Sequence, residues 1–343
     1  MANKRVKDVR ALSDALLGAP YGAASLGGGD PFVCKREEEL WVPELSRCQL
    51  LAYKDRRPIV ELDGERGSGK SHTACNIVAR HVYDTKNALV FMYVLSKAAG
   101  SQGGIWDKLT TRERDGEGKA LGVLQAWQDE HGEDLFSFSD PRFDINTHGE
   151  YILIKNRYGD TCRVNFKAVP PGETVKSRTR GGEPTMIVID EYNATTDPKQ
   201  APRIISAFMQ QLGRRKSQYQ DDDGKWKTAS QQLILCGNPP DLGPDDPSCK
   251  LLFIDYPTKQ GRPPIVEADG DVAIFVHNSD PYIGRWHITA KENRWLDMDN
   301  YQKTIALEAA MDPTAEDRLI RGVWRKKQTG NGILAGFWNP EVH

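Results

Sequence analysis

Pro58-Ile-Val-Glu-Leu-Asp-Gly-Glu-Arg-Gly-Ser-Gly-Lys-Ser-His72 is the most informative stretch of this sequence for the fold. Its apolar start predicts a β-strand, its glycines a turn and its end a helix, and four residues match the phosphate-loop pattern GxxxxGK(S/T), namely Gly64, Gly69, Lys70 and Ser71. Such a loop turns successive N–H groups towards an anion, which the positive end of the following helix also attracts. An ordinary strand-to-helix turn is the alternative. The apolar run before the loop and the helical run after it favour the phosphate site.

The residue types of this loop suit ATP and Mg²⁺ as cofactors. Lys70 supplies a charge for the β- and γ-phosphates, and the Ser71 hydroxyl is a ligand for Mg²⁺. Gln49, on a helix predicted over residues 43–53, is placed to read the adenine edge, as in many phosphate-loop ATPases; a solvated helix residue is the alternative. The predicted ATP-binding residues are Gln49, Gly64, Glu65, Arg66, Gly67, Ser68, Gly69, Lys70, Ser71 and His72.

Composition narrows the class of protein. The chain has 343 residues, enough for one large α/β domain with an appended piece or for two domains. Its 46 Lys and Arg nearly balance its 48 Asp and Glu, so nucleic-acid contact would need a local basic patch. The six cysteines lack metal-ligand or disulfide-framework spacing, which favours a reducing, intracellular compartment. The sequence also lacks a long apolar run and a signal-peptide pattern, which predicts a soluble protein with no membrane contact.

Strands and helices alternate after the phosphate loop. Strands are predicted over 88–95, 185–189 and 232–236 and a hairpin over 151–166, with helices after Ser71, from Gly104 and over about 199–215. This alternation predicts an α/β fold of the P-loop NTPase (ASCE) type, with a mostly parallel sheet covered by helices on both faces. Ligands of such sheets bind at the carboxyl ends of the strands.

The predicted organisation has four parts. Residues 1–40 form a flexible lead-in, 41–245 the ATPase core, 246–335 a small helical lid subdomain against the sheet, and 336–343 a tail. Proline and glycine become frequent after Asp241, and a strand-like run at 272–276 precedes helical patterns around Lys291 and over 299–311 and 316–324.

An apolar strand that ends in Asp190-Glu191 predicts phosphate chemistry. Asp190 is placed to hold the Mg²⁺ shell beside Ser71, and Glu191 to orient and deprotonate the water that attacks the γ-phosphoryl group. The pair therefore indicates hydrolysis rather than transfer to an acceptor. A surface acidic pair at a strand end is the alternative.

Three further side chains complete the predicted site. Asn238 ends the next strand, where it would sense the γ-phosphate, although a turn-forming Asn before two prolines is the alternative. Arg66 lies inside the phosphate loop, and Arg180 lies in a glycine-bearing loop before Asp190. Guanidinium groups match the charge of a transferring phosphoryl group, so both arginines are predicted to be catalytic with Lys70 and Glu191, unless they are solvated loop arginines.

Together these motifs resemble the ATPase domain of tailed-bacteriophage terminase large subunits, the motors that package DNA. The resemblance covers about residues 41–335. Its elements are Gln49, the Arg66-bearing loop, Ile105-Trp-Asp107, Arg180-Gly181, Ile187-Val-Ile-Asp-Glu191, Leu235-Cys-Gly-Asn-Pro239, Asn278-Ser-Asp-Pro281 and Arg318-Leu-Ile-Arg-Gly-Val-Trp324.

The resemblance implies ATP hydrolysis that drives double-stranded DNA into a viral procapsid. It implies a homo-oligomeric ring, usually of five subunits, on the portal protein, in which Arg180 completes the neighbouring site in trans. A terminase small subunit is an implied partner, and the host cytoplasm and, transiently, the portal vertex are the implied locations. Members of the family carry a C-terminal nuclease, but only about twenty residues follow Trp324. Whether the nuclease is truncated, absent or separate, this chain alone is not expected to cut DNA.

Two other classes remain open. A helicase-like DNA- or RNA-dependent ATPase shares the loop and the Asp-Glu strand but needs a second nucleotide-facing lobe, which the residues after Asn238 do not predict. A regulatory nucleotide-binding module is disfavoured by the intact catalytic residues. Basic patches that would contact the DNA backbone are Arg112 with Arg114, then Arg214, Arg215 and Lys216, and Arg325 to Lys327, each with a solvated face as the alternative.

Overall fold

The computed structural model describes most of the chain between residues 45 and 327. The described residues are 45–65, 67–94, 104–110, 112–114, 118–120, 122–127, 135–138, 150–169, 182–193, 199–212, 214, 216–221, 223–269, 272–275, 278–288, 290, 293, 296–319 and 323–327. Within these ranges every helix is too short or too polar to cross a lipid bilayer.

Helices and strands alternate in the order that the sequence predicts. The helices are α1 (Arg47–Lys54), α2 (Lys70–Asp84), α3 (Ile105–Leu109), α4 (Val123–Ala126), α5 (Ala201–Leu212), α6 (Pro247–Lys250), α7 (Tyr256–Lys259), α8 (Met298–Met311) and α9 (Ala315–Leu319), with a π-helical turn at Leu251–Asp255 between α6 and α7. The strands are β1 (Ile59–Gly64), β2 (Leu89–Val94), β3 (Arg112–Arg114), β4 (Gly118–Ala120), β5 (Ser137–Phe138), β6 (Glu150–Lys155), β7 (Thr161–Ala168), β8 (Met186–Ile189), β9 (Gln218–Gln220), β10 (Trp226–Thr228), β11 (Gln232–Gly237), β12 (Val266–Asp269), β13 (Val272–Phe275), β14 (Ile283–Ile288) and β15 (Trp324–Arg325).

The central sheet confirms the predicted fold class. Its strand order is β14-β1-β11-β8-β2-β7-β6-β5, and the six strands from β14 to β7 run parallel. The predicted hairpin supplies β6 and β7, which pair antiparallel and extend one edge. Because β1, β11 and β8 are parallel neighbours, their carboxyl ends meet at one edge of the sheet.

Alternate residues of the parallel strands enter two hydrophobic cores. Val60 and Ile234 pack with α2, α3 and α4 on one face. Ile59 and Leu233 pack with α5 and α6 on the other. Each such side chain contributes about 2 kcal/mol when fully buried. Helices therefore cover both faces, which explains why these strands read as continuous apolar runs.

The chain after residue 245 differs from the predicted helical subdomain. It contributes β14 to the central sheet, parallel to β1, and a small antiparallel sheet of β12, β13 and β15. The helical pattern predicted over 316–324 ends at Leu319, and Trp324 lies buried on β15. The run Ile283–Ile288 escaped prediction because it contains Arg285, whose charge pairs inside the protein with Glu61 on β1. The division at residue 245 stays a prediction.

Candidate active site

The phosphate loop has the backbone that its glycines predict. Gly64, Gly67 and Gly69 have φ angles of +152°, +84° and +93°. Only glycine adopts such angles without strain, and the left-handed Gly69 directly precedes α2. The loop therefore leads into a helix N-terminus, where unpaired N–H groups and the helix dipole favour an anion.

Lys70 uses all three of its N–H donors. Its Nζ donates to the Gly64 carbonyl over 3.0 Å, the Glu65 carbonyl over 2.6 Å and the Asn238 Oδ1 over 2.9 Å. Burial lowers the pKa of Lys70, and the negative charge of Glu191 is the main opposing influence. The lysine is thus already directed at the loop that would hold the phosphates.

Ser71 and Asp190 meet where Mg²⁺ is predicted. Ser71, in the first turn of α2, donates from its Oγ to Asp190 Oδ1 over 3.2 Å, and Asp190 directly follows β8. A hydroxyl and a carboxylate are hard oxygen ligands of the kind that Mg²⁺ takes, with phosphate and water oxygens in its other positions. The chemistry of this pair therefore fits Mg²⁺.

Asn238 joins Lys70 to Glu191. Its Oδ1 accepts from Lys70, and its Nδ2 donates to Glu191 Oε2 over 3.3 Å. Asn193 in turn donates to the backbone carbonyl of Asn238. The predicted sensor thus contacts both the lysine predicted to bind phosphate and the carboxylate predicted to activate water.

Gln49 packs against the loop through both atoms of its amide. Its Oε1 accepts from the Ser46 backbone over 2.8 Å as part of a capping box on α1, and its Nε2 donates to the Ser68 carbonyl over 3.1 Å. Its side chain also closes the space beside Gly69, where a β-carbon would overlap it. Adenine recognition by Gln49 stays a prediction, and in this structure its amide supports the loop.

Residues after β14 form hydrogen bonds with the phosphate loop. Glu65 is buried and accepts a hydrogen bond from the Ala290 backbone N–H, and Asn293 donates to the Gly67 carbonyl. Burial raises the pKa of Glu65 from 4.5 to about 7. The phosphate loop therefore contains a carboxyl group that titrates near neutral pH.

Glu65→Gln is expected to remove a pH dependence of stability. The folded state holds the Glu65 proton more tightly than the unfolded state does, so its contribution is full below about pH 4.5 and is lost as the pH rises to about 7. The nucleotide-free wild type should therefore lose stability relative to Glu65→Gln across this window. Thermal unfolding at several pH values measures the difference in Tm, with the exposed Glu183→Gln as control. A difference that stays flat would contradict the raised pKa.

The structure leaves several predicted residues unassigned. Arg66, Arg180 and Arg215 lie outside the described residues. Arg112 and Arg114 lie on β3, which pairs with β4, while Arg214 and Lys216 are exposed after α5; His72, on α2, is partly exposed. The catalytic and DNA-binding roles of these residues stay predictions.

Lys108 is a charged residue of the site that the sequence did not reveal. Cys75 on α2 donates to the Ile105 carbonyl over 3.4 Å, which sets α3 beside the helix that begins with Lys70. Burial raises the pKa of Asp190, and the positive charge of Lys108 opposes this rise more than any other group. No motif marks Lys108, because only the packing of α3 on α2 brings its charge near Asp190.

No protein-family model matches the sequence, and no curated protein matches it. The structure is similar to the large terminase of a thermophilic bacteriophage in complex with ADP, at 14% identity and a TM-score of 0.49, over 82% of this chain and 54% of that one. It is also similar to the HK97 bacteriophage large terminase, at 15% identity and a TM-score of 0.46, over 80% of this chain and 50% of that one. A third similar structure is the Thermus phage P74-26 large terminase ATPase domain, at 12% identity and a TM-score of 0.41, over 81% of this chain and 93% of that one. The chain spans about half the length of the first two of these terminases.

Proposed function

We propose that this protein binds ATP with Mg²⁺ and hydrolyses it. The observation that carries the proposal is the position of Asn238, which bonds both Lys70 and Glu191 at the carboxyl ends of adjacent parallel strands. A lone phosphate loop is compatible with kinases and GTPases. A carboxylate that can take a proton from water, coupled through one amide to the loop lysine and next to the Ser71–Asp190 pair, favours hydrolysis over transfer to an acceptor.

Each side chain has a distinct part in the proposed reaction. Lys70 exchanges carbonyl acceptors of the loop for phosphate oxygens. Ser71 and Asp190 would hold Mg²⁺, which would offset the charge of those oxygens. Glu191 accepts a proton from water as the water oxygen bonds to the γ-phosphorus. The bond between the γ-phosphorus and the β–γ bridging oxygen breaks, which leaves ADP and inorganic phosphate.

Asn238→Ala is expected to slow hydrolysis more than it weakens binding. The variant removes the acceptor for Lys70 and the donor to Glu191 together, so we expect kcat to fall about 10- to 100-fold. Steady-state ATPase assays give kcat, and titration with a fluorescent ATP analogue gives Kd, with the exposed Asn300→Ala as control. A wild-type kcat in Asn238→Ala would rule out its part in the reaction.

We further propose that hydrolysis drives double-stranded DNA into a viral procapsid. The combination of sequence motifs supports this step, above all an arginine within the phosphate loop, Arg180-Gly181 before the Asp-Glu strand and the segment that ends at Trp324. On this proposal the chain acts as a ring of subunits at the portal, with a terminase small subunit as a partner, and Arg66 and Arg180 bring positive charge to the reacting phosphate. A translocating motor needs contacts to the DNA backbone only, so no base-reading motif is required.

A packaging assay tests the translocation proposal. The protein is mixed with procapsids that carry the portal, its small-subunit partner, linear duplex DNA and ATP, and DNA protected from nuclease is measured against a Glu191→Gln control. ATP-dependent protection supports packaging. Strand separation without protection would replace it with a helicase-like ATPase, and ATP hydrolysis that DNA and procapsids leave unchanged would separate the ATPase from any motor role.

A further inference from the structure

Glu191 has an unusual backbone conformation. Its φ angle is +53°, in the left-handed region that residues with a β-carbon rarely occupy. Backbone bonds hold the residues on both sides, from Asp190 N–H to the Tyr93 carbonyl over 2.9 Å and from Tyr192 N–H to the Cys236 carbonyl over 3.0 Å. Strain of this kind persists only where the surroundings hold it in place.

The side chain of Tyr192 connects this turn to strand β1. Its ring is buried at 2% exposure, and its hydroxyl donates to Glu61 Oε1 over 2.6 Å. The hydroxyl also lies 3.5 Å from the Cys249 sulfur. Since Glu61 lies on β1, three residues before Gly64, the bond ties the turn at Glu191 to the strand that carries the phosphate loop.

Buried charges hold Glu61 in position. The other carboxylate oxygen of Glu61 is 3.1 Å from Arg285 Nε, and Arg285 also pairs with Asp63. Trp324 donates from its Nε1 to Asp63 over 3.1 Å, and its ring centre is 4.4 Å from the Arg285 guanidinium. Arg285 of β14 therefore holds the Glu61 carboxyl group that Tyr192 contacts, and Trp324 of β15 packs on Arg285.

Packing alone does not explain why Glu61, Asp63 and Arg285 are buried together. Burying three ionisable groups is costly, and apolar side chains of similar volume fill a core at least as well. The Tyr192–Glu61 and Trp324–Asp63 hydrogen bonds fix direction as well as distance, while Arg285 lies between the two carboxyl groups as their ion-pair partner. These contacts fix the hydroxyl of Tyr192, whose neighbour in the chain is Glu191.

We propose that Tyr192 and Glu61 are positioning residues that hold Glu191 in its left-handed turn and so direct its carboxylate at the γ-phosphate and the attacking water. The proposal rests on the proposed ATPase function. On this proposal the buried Tyr192 acts only through the backbone of its neighbour Glu191 and not by contact with the reacting groups. Loss of its hydroxyl should therefore affect the rate of the chemical step and leave nucleotide binding intact.

Tyr192→Phe tests the proposal, because it removes the hydroxyl and keeps the ring. We expect kcat to fall at least fivefold while KM and the Kd for a fluorescent ATP analogue change by less than about twofold. We also expect Tm to fall, because the buried Glu61 Oε1 loses its donor, so kcat is expressed per folded molecule. A purely structural role would lower Tm and leave kcat per folded molecule unchanged, and that result would overturn the proposal.

Two matched variants isolate the bond to Glu61. Cys249→Ala removes the other neighbour of the hydroxyl, and Tyr93→Phe removes the hydroxyl of a second buried tyrosine beside the same strand end. Both should keep kcat within about twofold of wild type, and an equal loss in either would count against a specific role for Tyr192. If wild type hydrolyses no ATP, the proposed function fails. If it hydrolyses ATP no faster than Glu191→Gln, Glu191 is not the base and the positioning role falls with it. An active wild type matched by Tyr192→Phe rejects the positioning role alone.

Discussion

Glu191→Gln is expected to reduce steady-state ATP hydrolysis by about 100-fold or more while ATP binding is retained, because general-base catalysis contributes on this scale. The amide has nearly the size of the carboxylate, and its oxygen can still accept from Asn238 Nδ2, so the architecture of the site should survive. Only the ability to take a proton from water is lost.

The measurement compares kcat from phosphate release with the Kd of a fluorescent ATP analogue in the presence of Mg²⁺. Glu183→Gln is the control, since it removes an exposed carboxylate that precedes β8 at the opposite end from Glu191. Wild-type turnover in Glu191→Gln would exclude Glu191 as the base. A variant that loses nucleotide binding would instead assign the carboxylate a structural part in the loop.

Gly64→Ala is expected to cause the largest loss of stability among single changes in the phosphate loop. Gly64 pairs in register with Ile288 of β14, and a β-carbon at this position would overlap the Ile288 carbonyl oxygen. Its φ of +152° is also unfavourable for alanine. We expect the free energy of unfolding to fall by about 2–5 kcal/mol, from steric overlap and backbone strain together.

Gly159→Ala is a matched control for this change. Gly159 also has a positive φ, +76°, but a β-carbon there meets no atom within 4 Å. This control should cost only the backbone term, about 1 kcal/mol. Denaturant unfolding of both variants measures the difference, and nucleotide titration shows whether Gly64→Ala still binds ATP. If both variants lose the same free energy of unfolding, the Ile288 carbonyl of β14 does not lie as close to Gly64 as the structure indicates.

Local patterns predicted most of the central sheet. The apolar runs that became β2, β8 and β11 are long enough, and bounded clearly enough, to be identified without tertiary information. The same holds for α2 and α5, whose apolar residues recur at helical spacing. These elements are encoded by neighbours in the chain, so their prediction needed no knowledge of what they pack against.

The candidate site was predictable where a motif has fixed spacing. Lys70, Ser71 and Asp190 were predicted from the glycine loop and from a strand end, and the structure brings Ser71 and Asp190 into contact. Lys108 and Tyr192 were not predicted. Their positions depend on helix packing and on a buried bond to another strand, which leave no periodic trace in the sequence.

The α/β fold, the phosphate loop and the residues at the carboxyl ends of β8 and β11 could all be inferred from the amino-acid sequence, because each depends on a local pattern or a motif of fixed length. The folded chain was needed to show that β14 joins β1 and that Asn238 connects Lys70 with Glu191. It was also needed to show that Tyr192 reaches Glu61. The partner of a buried charge or amide can lie far along the chain, as Arg285 does for Glu61, and only the packed fold brings such partners together.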